Sequence, residues 1–265
     1  MTLQMGRHLD IEGAYNVRDL GGYKTADGHS TRWRTLVRAD DVSRLPEASR
    51  SALLIYGVRT VIDLRNPREL EISPNRFAHS GDVSYVHVHL QGTYTLAAQS
   101  TSDQSLPMPT RLSSIYITWL EKRQEEFARV LSTLASPGSL PALYHCLGGK
   151  DRTGIVSALL LRLARVPNET VVEDYTLTAE YRVNGFLKVA ESPELPRGVL
   201  GQYDPPAINP DCWSVETYRA RFCPPEVMSE MLAYIDQRYG DVEGYIRAIG
   251  LTDEQVEFLR IAIVE

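Results

Sequence analysis

Cysteine is scarce in this sequence. Its 265 residues include three cysteines, Cys146, Cys212 and Cys223, and their number and spacing match neither a disulfide framework nor a zinc site. We therefore predict a chain that has no structural metal and no disulfide scaffold. Such sparse cysteine usage is typical of proteins that work in a reducing compartment.

Long apolar runs and an excess of basic residues are also missing. No run approaches the roughly 20 apolar residues of a membrane-spanning helix, and the stretch from Met1 to Asp10 lacks the apolar segment of a secretory signal. The formal net charge of -6 argues against nucleic acid as an electrostatic partner. We therefore expect a cytoplasmic protein with no integral membrane segment and no nucleic-acid partner, and a signal-less route of secretion is left open.

Repeats and low-complexity segments are absent from the sequence, and the composition is that of an ordinary globular protein. Hydrophobic residues make up 43% and charged residues 23% of the chain, which is enough apolar material for a sizeable core. A linker at 187–213 would leave only about fifty residues behind it, a marginal domain. We therefore predict one domain over 1–265, in which 91–110 and 187–213 form a lid or cover of the functional site.

Apolar periodicity predicts the order of strands and helices. Short apolar or β-branched runs predict strands over 58–64, 82–90 and 140–144, and a hairpin over 20–37. Spacing of three to four residues predicts helices over 43–56, 112–134, 153–165, 168–181, 224–238, 241–249 and 253–264. This order is typical of an α/β fold with a central, mostly parallel sheet flanked by helices.

Five charged residues have a structural interpretation at this stage. Arg18, Asp19 and Arg38 are expected to pair with one another and to fix the hairpin. Glu173 and Asp174 are expected to lie on a solvated acidic face of the predicted helix 168–181, because charge runs on helices usually do.

The stretch from Ala142 to Leu161 has the pattern of a strand, a glycine-containing loop and a buried helix. Unpaired N–H groups converge at the start of such a helix, and its dipole favours negative charge, so the pattern predicts an anion-binding site. Cys146 begins the loop, where those N–H groups would favour its thiolate. Arg152 can clamp two oxygens of a tetrahedral oxyanion with its planar guanidinium. A thiolate beneath a clamped oxyanion describes phosphoryl transfer through a cysteinyl-phosphate.

Several segments of the chain carry a family resemblance. Residues 145–154, which read His-Cys-x5-Arg-Thr-Gly, resemble the signature loop of the cysteine-dependent protein tyrosine phosphatases. The fuller string His-Cys-x-x-Gly-Lys-Asp-Arg-Thr-Gly resembles the bacterial and fungal branch that includes dual-specificity and phosphoinositide-active members. Residues 16–23, which read Asn-x-Arg-Asp-Leu-Gly-Gly-Tyr, are similar to the N-terminal part of the same branch. The resemblance extends to the string Asp63-Leu64-Arg65 with Glu69 shortly after it, and to residues 239–252. It is thin over 91–110 and 187–213.

The resemblance implies a tyrosine-phosphatase-like fold and a phosphatase that hydrolyses phosphotyrosine through a cysteinyl-phosphate. Phosphoserine, phosphothreonine and phosphoinositides are left open as further substrates, so the partner would be a phosphorylated protein or a phosphoinositide. His145 would orient the loop through the backbone, and Thr153 would stabilise the departing thiolate. The phosphate-binding residues would be Leu147, Gly148, Gly149, Lys150, Asp151 and Arg152. No metal or other cofactor is expected, since arginine and amides carry the phosphate charge.

The general acid that protonates the leaving group is not fixed by these motifs. Many tyrosine phosphatases supply an aspartate after a Trp-Pro pair, and this sequence contains no Trp-Pro-Asp. Asp151 is the first candidate, because it belongs to the loop string that distinguishes the branch. Asp63 is the second candidate, and Asp103 in the polar segment before residue 110 is a third.

Asp63 has two interpretations of nearly equal weight. It ends the strand predicted over 58–64, and ligands collect outside the carboxyl ends of strands in open α/β sheets. Asp63 would therefore orient Arg152 or share the acid chemistry. Alternatively, it pairs with Arg65 or Arg68 and has only a structural role.

Two functions of other classes are kept as alternatives. A rhodanese-like sulfurtransferase also uses a cysteine loop with a nearby arginine, although the loop string does not favour it. A non-catalytic phosphate-binding module would normally have lost Cys146 or Arg152, and both are present. Lys150 adds a second positive charge near the anion site, which is the reason that phosphoinositides remain among the candidate substrates.

Overall fold

A computed structural model describes residues 6–93, 108–191 and 214–265 of the chain. Most of the predicted lid at 91–110 and cover at 187–213 therefore lies outside the described residues, as do Asp103 and Cys212. Within the described ranges, no helix has both the length and the apolar content that crossing a membrane requires.

Five strands form one sheet. They are β1 (Arg18–Asp19), β2 (Leu36–Ala39), β3 (Thr60–Asp63), β4 (Ser84–His87) and β5 (Ala142–His145). They lie in the order β1-β2-β5-β3-β4, and each neighbouring pair is parallel except β1 and β2. The predicted α/β class with a central, mostly parallel sheet is confirmed.

Helices follow each of the strands β2 to β5 along the chain. They are α1 (Glu47–Tyr56), α2 (Pro67–Ile72), α3 (Met108–Lys122), α4 (Gln124–Leu134), α5 (Asp151–Leu163), α6 (Asn168–Glu191), α7 (Val215–Phe222), α8 (Pro225–Tyr239), α9 (Val242–Ala248) and α10 (Asp253–Ile263), with a 3-10 helix at Arg76–His79. The helix that begins at the signature loop, α5, is buried along almost its whole length. A helix that is apolar on all sides must be enclosed by other elements.

Two predicted helices differ most from the structure. The predicted helix 112–134 is two helices, because Arg123 leaves helical geometry with φ -124° and ψ 33°. At that point the Arg123 guanidinium donates a hydrogen bond of 3.0 Å to the carbonyl oxygen of His89. The predicted helix 168–181 continues to Glu191. In both cases apolar periodicity marks the buried face, but it does not mark where the backbone bends or ends.

Apolar side chains cover both faces of the sheet. Ile62 and Tyr144 belong to the cluster that includes side chains of α3, α4, α5 and α8. Val61 and Leu143 belong to the cluster on the other face, which includes side chains of α1. Successive strand residues point to opposite faces, so these neighbours in sequence join different clusters. Burial on both faces accounts for the nearly continuous apolar runs of these strands.

The carboxyl ends of β2, β5 and β3 meet at one edge of the sheet. Ala39 pairs with His145 across one strand pair, and Asp63 pairs with His145 across the other. The segments that follow these three strands are therefore neighbours. The loop that begins at Cys146 lies between the segment after β2 and the segment after β3, at the edge where α/β proteins bind ligands.

Asp174 is buried, so the prediction of a solvated acidic face is wrong at this position. Its side chain is 1% exposed and forms ion pairs with Arg18, at 3.0 Å, and with Arg38. Burial alone would raise the pKa of Asp174, but the two guanidinium charges hold that pKa well below its usual range. The predicted pairing of these arginines with Asp19 is also wrong. Asp19 accepts hydrogen bonds from two backbone N–H groups and a tyrosine hydroxyl.

We expect Asp174→Asn to lower the free energy of unfolding by about 3–5 kcal/mol, because it leaves two buried guanidinium charges without their counter-charge. Chemical denaturation at neutral pH measures this loss. Glu173→Gln is the matched control, since Glu173 is the exposed acidic neighbour on the same helix, and it should change stability by less than about 0.5 kcal/mol. Equal losses for the two variants would contradict the role of the buried pair.

Candidate active site

Cys146 is the first residue after β5, and it is 1% exposed. The ring of the preceding His145 is buried, and its Nδ1 lies 3.1 Å from the carbonyl oxygen of Cys146. Because a carbonyl oxygen can only accept, Nδ1 carries the hydrogen and donates it. The other ring nitrogen, Nε2, lies 3.0 Å from the side-chain nitrogen of Asn75. His145 therefore ties the backbone at Cys146 to the segment after β3.

The carbonyl oxygens of the loop after Cys146 accept hydrogen bonds from other parts of the chain. The N–H of Asp41 donates to the carbonyl of Leu147 at 3.1 Å. The side-chain amide of Asn16 donates to the carbonyls of Gly148 and Gly149, at 3.1 Å each. Three consecutive peptide groups are therefore held in one orientation by donors outside the loop.

This orientation determines where the N–H groups of the loop point. In a trans peptide, the carbonyl and the N–H of the next residue point in opposite directions. The N–H groups of Gly148, Gly149 and Lys150 therefore point away from the donors that hold the carbonyls. Among the described residues, none of these three N–H groups donates to a protein acceptor. They lead directly into the N-terminus of α5, which gives the geometry of an anion site.

Glycine is required at position 149. Gly149 has φ +62°, and a Cβ there would lie 2.7 Å from the backbone nitrogen of Asp40 and 2.8 Å from the carbonyl oxygen of Ala39. The loop thus packs directly on the backbone after β2. Arg38 donates a further hydrogen bond of 2.7 Å to the carbonyl of Gly149, so the ion pair between Arg38 and Asp174 reaches the loop.

Arg152 is held by Glu69 of α2. The two terminal nitrogens of the Arg152 guanidinium donate to the two carboxylate oxygens of Glu69, at 2.6 and 2.8 Å. One of them also donates to the carbonyl of Leu64 at 3.3 Å. A bidentate pair of this kind fixes both the position and the plane of the guanidinium.

Arg152 and Glu69 each favour the charged form of the other. Burial disfavours the charged form of Arg152, but the charge of Cys146 and the bonds to Glu69 raise the pKa of the guanidinium above its ordinary value. Burial likewise would raise the pKa of Glu69, and the Arg152 guanidinium lowers it below the ordinary value. Both side chains are therefore ionised over the whole physiological range.

Among the described residues, Asp63 has no hydrogen bond or ion pair to Arg152, so the expectation that it orients Arg152 directly is not met. Its carboxylate is fully buried and pairs with Arg65 at 2.7 Å, and Asn75 donates to it at 2.9 Å. Burial would raise the pKa of Asp63, but the charges and hydrogen bonds of His145 and Arg65 hold that pKa well below its usual range. The pairing with Arg65 was the structural alternative, and the structure shows it.

Asp151 and Lys150 lie at the start of α5 and are partly exposed, at 21% and 14% of their side-chain surface. Tyr116 of α3 donates a hydrogen bond of 2.7 Å to Oδ1 of Asp151. Lys150 donates to the carbonyl of Phe222 at 2.9 Å, and its Nζ lies 3.5 Å from Oδ1 of Asp151. The Lys150 charge is therefore engaged by α7 and by Asp151.

Thr153 is fully buried, and its hydroxyl lies 3.5 Å from the carbonyl oxygen of Ala39. Its role at the thiolate stays a prediction. In the part of the chain that the structure describes, no group of three or more His, Cys, Asp or Glu side chains is arranged to hold a metal ion.

Three residues that hold the loop or its arginines were not predicted to belong to the site. Glu69 was visible only as an acidic residue shortly after the Asp-Leu-Arg string, and Asn16 only as the first residue of the second resembling segment. Asp174 carried no signal beyond its charge. Each acts on the loop from a distant part of the chain, so their roles depend on the fold.

Comparison with known proteins agrees with this geometry. A sequence model described as the tyrosine phosphatase family matches residues 9–265 of the chain. A tyrosine-protein phosphatase from Nostoc commune is 33% identical over 227 residues, which cover 86% of this chain and 73% of that protein. The triple specificity protein phosphatase PtpB from Mycobacterium tuberculosis is 27% identical, over 95% of this chain and 97% of its own length.

A putative tyrosine-protein phosphatase from Cupriavidus necator is 28% identical over 247 residues, which cover 91% of this chain and 84% of that protein. The family match includes the whole loop from Cys146 to Arg152 and the segments that hold it. The sulfurtransferase and the phosphate-binding module are not favoured by any of these matches. The chain belongs to the tyrosine phosphatase family.

Proposed function

We propose that the protein hydrolyses phosphotyrosine, the reaction of its family, with Cys146 as the nucleophile and Asp151 as the general acid. The sulfur of Cys146 attacks phosphorus, the phosphorus–oxygen bond to the tyrosine breaks, and Asp151 gives its proton to the departing oxygen. Water then gives a proton to the Asp151 carboxylate and attacks phosphorus, the sulfur–phosphorus bond breaks, and phosphate leaves, which restores the thiolate and the protonated Asp151. The observation that carries this proposal is that the loop after Cys146 has its carbonyls bonded to other segments, leaves its amides unpaired among the described residues, and leads directly to Arg152, which interacts electrostatically with Cys146.

The hydrogen bonds of Arg152 support its part in this reaction. A guanidinium has five N–H donors, and three of them bond to Glu69 and Leu64. Among the contacts of the described residues, the N–H of Nε and one N–H of Nη2 are not used. These two donors share one edge of the planar group, and that edge matches two oxygens of a phosphoryl group.

Asp151 is the best of the three candidates for the general acid. Asp63 has its pKa held well below its usual range, mainly by His145 and Arg65 acting against burial, so it has no proton to give near neutral pH. Asp103 lies outside the described residues. Asp151 is partly exposed, next to Arg152 in the loop itself.

One relative points to further substrates. The relative from Mycobacterium tuberculosis is named for triple specificity, so we propose that phosphoserine, phosphothreonine or phosphoinositides are further substrates of this protein. The position of Lys150 does not favour a second phosphate, because its Nζ is bonded to Phe222 and lies beside Asp151.

The nucleophile is tested with a generic aryl phosphate in the presence of EDTA. We expect the wild type to release phosphate and Cys146→Ser to release none above background, because an alcohol at that position is not ionised and leaves phosphorus poorly. Circular dichroism confirms that the variant is folded. Activity of both proteins, or of neither in the reduced and folded state, would overturn the assignment.

The arginine clamp is tested with Arg152→Lys and Glu69→Gln. We expect kcat/KM to fall about 100-fold or more for Arg152→Lys, because an ammonium cannot bind two oxygens at once. Glu69→Gln should cost about 10-fold or more, because the guanidinium loses its fixed plane. Glu71→Gln, at an exposed position of the same helix, is the matched control, and a loss as large as that of Glu69→Gln would contradict the clamp.

The substrate class is tested with a phosphotyrosine peptide, a phosphoserine peptide and a short-chain phosphoinositide, each assayed with the wild type and with Lys150→Met. We expect the phosphotyrosine peptide to have the highest kcat/KM. Since Lys150 is engaged by Phe222, its loss should lower kcat/KM for all hydrolysed substrates by a similar factor. A selective loss of phosphoinositide hydrolysis would show that Lys150 binds a second phosphate.

A further inference from the structure

Two buried tyrosines are linked to Asp151 by hydrogen bonds. Tyr116 of α3 is fully buried, and its hydroxyl donates to Oδ1 of Asp151 at 2.7 Å. Tyr175 of α6 is 1% exposed, and its hydroxyl lies 3.0 Å from that of Tyr116. The two rings meet edge to face, with centroids 6.3 Å apart and planes at 89°. No sequence motif pointed to either tyrosine.

The two hydrogen bonds that link Tyr175, Tyr116 and Asp151 run in one direction. Each tyrosine hydroxyl has a single hydrogen to donate, and Tyr116 gives its own to Asp151. The contact between the two hydroxyls is therefore donated by Tyr175 to Tyr116. Burial and the charge of Asp151 raise the pKa of Tyr116 well above its ordinary value, so the phenol stays protonated and remains a donor.

The donors near Asp151 are on one side of its carboxyl group. Tyr116 bonds to Oδ1, and Nζ of Lys150 also lies 3.5 Å from Oδ1. An oxygen that already accepts from two donors is the poorer place for an added proton. When Asp151 is protonated, the proton is therefore on Oδ2.

We propose that Tyr116, held by Tyr175, is a positioning residue that fixes the Asp151 carboxyl and keeps its acidic proton on Oδ2. This inference rests on the proposed function, in which Asp151 is the general acid. As the phosphorus–oxygen bond breaks, the proton passes from Oδ2 to the departing oxygen. The carboxylate that remains is stabilised at Oδ1 by the Tyr116 hydroxyl and the Lys150 charge.

The test compares kcat/KM for a series of aryl phosphates whose phenols range from strongly to weakly acidic. A good leaving group needs little protonation, and a poor one depends on the general acid. We expect Tyr116→Phe to lower kcat/KM about 10- to 100-fold for the poorest leaving group and less than about threefold for the best. A merely structural defect would lower kcat/KM for all substrates by the same factor.

Tyr245→Phe is the matched control. Tyr245 of α9 is also fully buried, and its hydroxyl donates to the carbonyl of Leu120 on α3, the helix that carries Tyr116. The variant removes one buried tyrosine hydroxyl that bonds to the same helix, without touching Asp151. We expect no change in leaving-group dependence for this variant, and thermal melts of both variants show whether they are folded.

Asp151→Asn and the double variant separate the two proposals. Asp151→Asn should show the steepest leaving-group dependence, and adding Tyr116→Phe to it should steepen the dependence no further, because the tyrosine acts through the aspartate. If Asp151→Asn lowers all substrates equally, Asp151 is not the general acid and the proposed function fails at that point. If Asp151→Asn steepens the leaving-group dependence but Tyr116→Phe leaves it unchanged, the positioning role of Tyr116 is overturned and the proposed function stands.

Discussion

Donors from separate segments bond to the carbonyl oxygens of residues 147–149, and the site depends on this constraint. Asn16, Arg38 and the N–H of Asp41 are those donors. Once the carbonyls are bonded outward, peptide geometry turns the amides inward. An anion is then met by dipoles that are already oriented, so no reorganisation is needed when charge develops on phosphate.

Buried charge makes this arrangement rigid. Arg38 reaches Gly149 from a position where Asp174 neutralises it, and Glu69 holds Arg152 in the same way on the other side of the loop. A lone buried guanidinium would be costly, whereas a paired one has a fixed position. The two acidic residues thus determine where the two positive groups lie, and Arg152 keeps two donors that the described residues do not use.

The acidic residues of the site divide into supports and a reactive group according to their surroundings. Asp63, Glu69 and Asp174 each face guanidinium groups that hold their pKa below the ordinary value despite burial. Asp151 instead has a neutral phenol, Tyr116, as its nearest donor, and part of its surface is exposed. The site therefore contains carboxylates that only hold arginines and one carboxylate whose closest donor is uncharged and which is open to solvent.

The sequence by itself determined the mostly parallel α/β sheet, the strand–loop–helix at Cys146 and the family, because periodicity and the loop string are local properties of the chain. Only the tertiary structure decided which acidic residue pairs with which arginine. Asp63 and Glu69 are six positions apart, and nothing local shows that Asp63 pairs with Arg65 while Glu69 crosses to Arg152. Tyr116 contacts Asp151 across a separation of 35 residues. Such contacts form when helices pack on the sheet, and residue spacing in the sequence does not predict them.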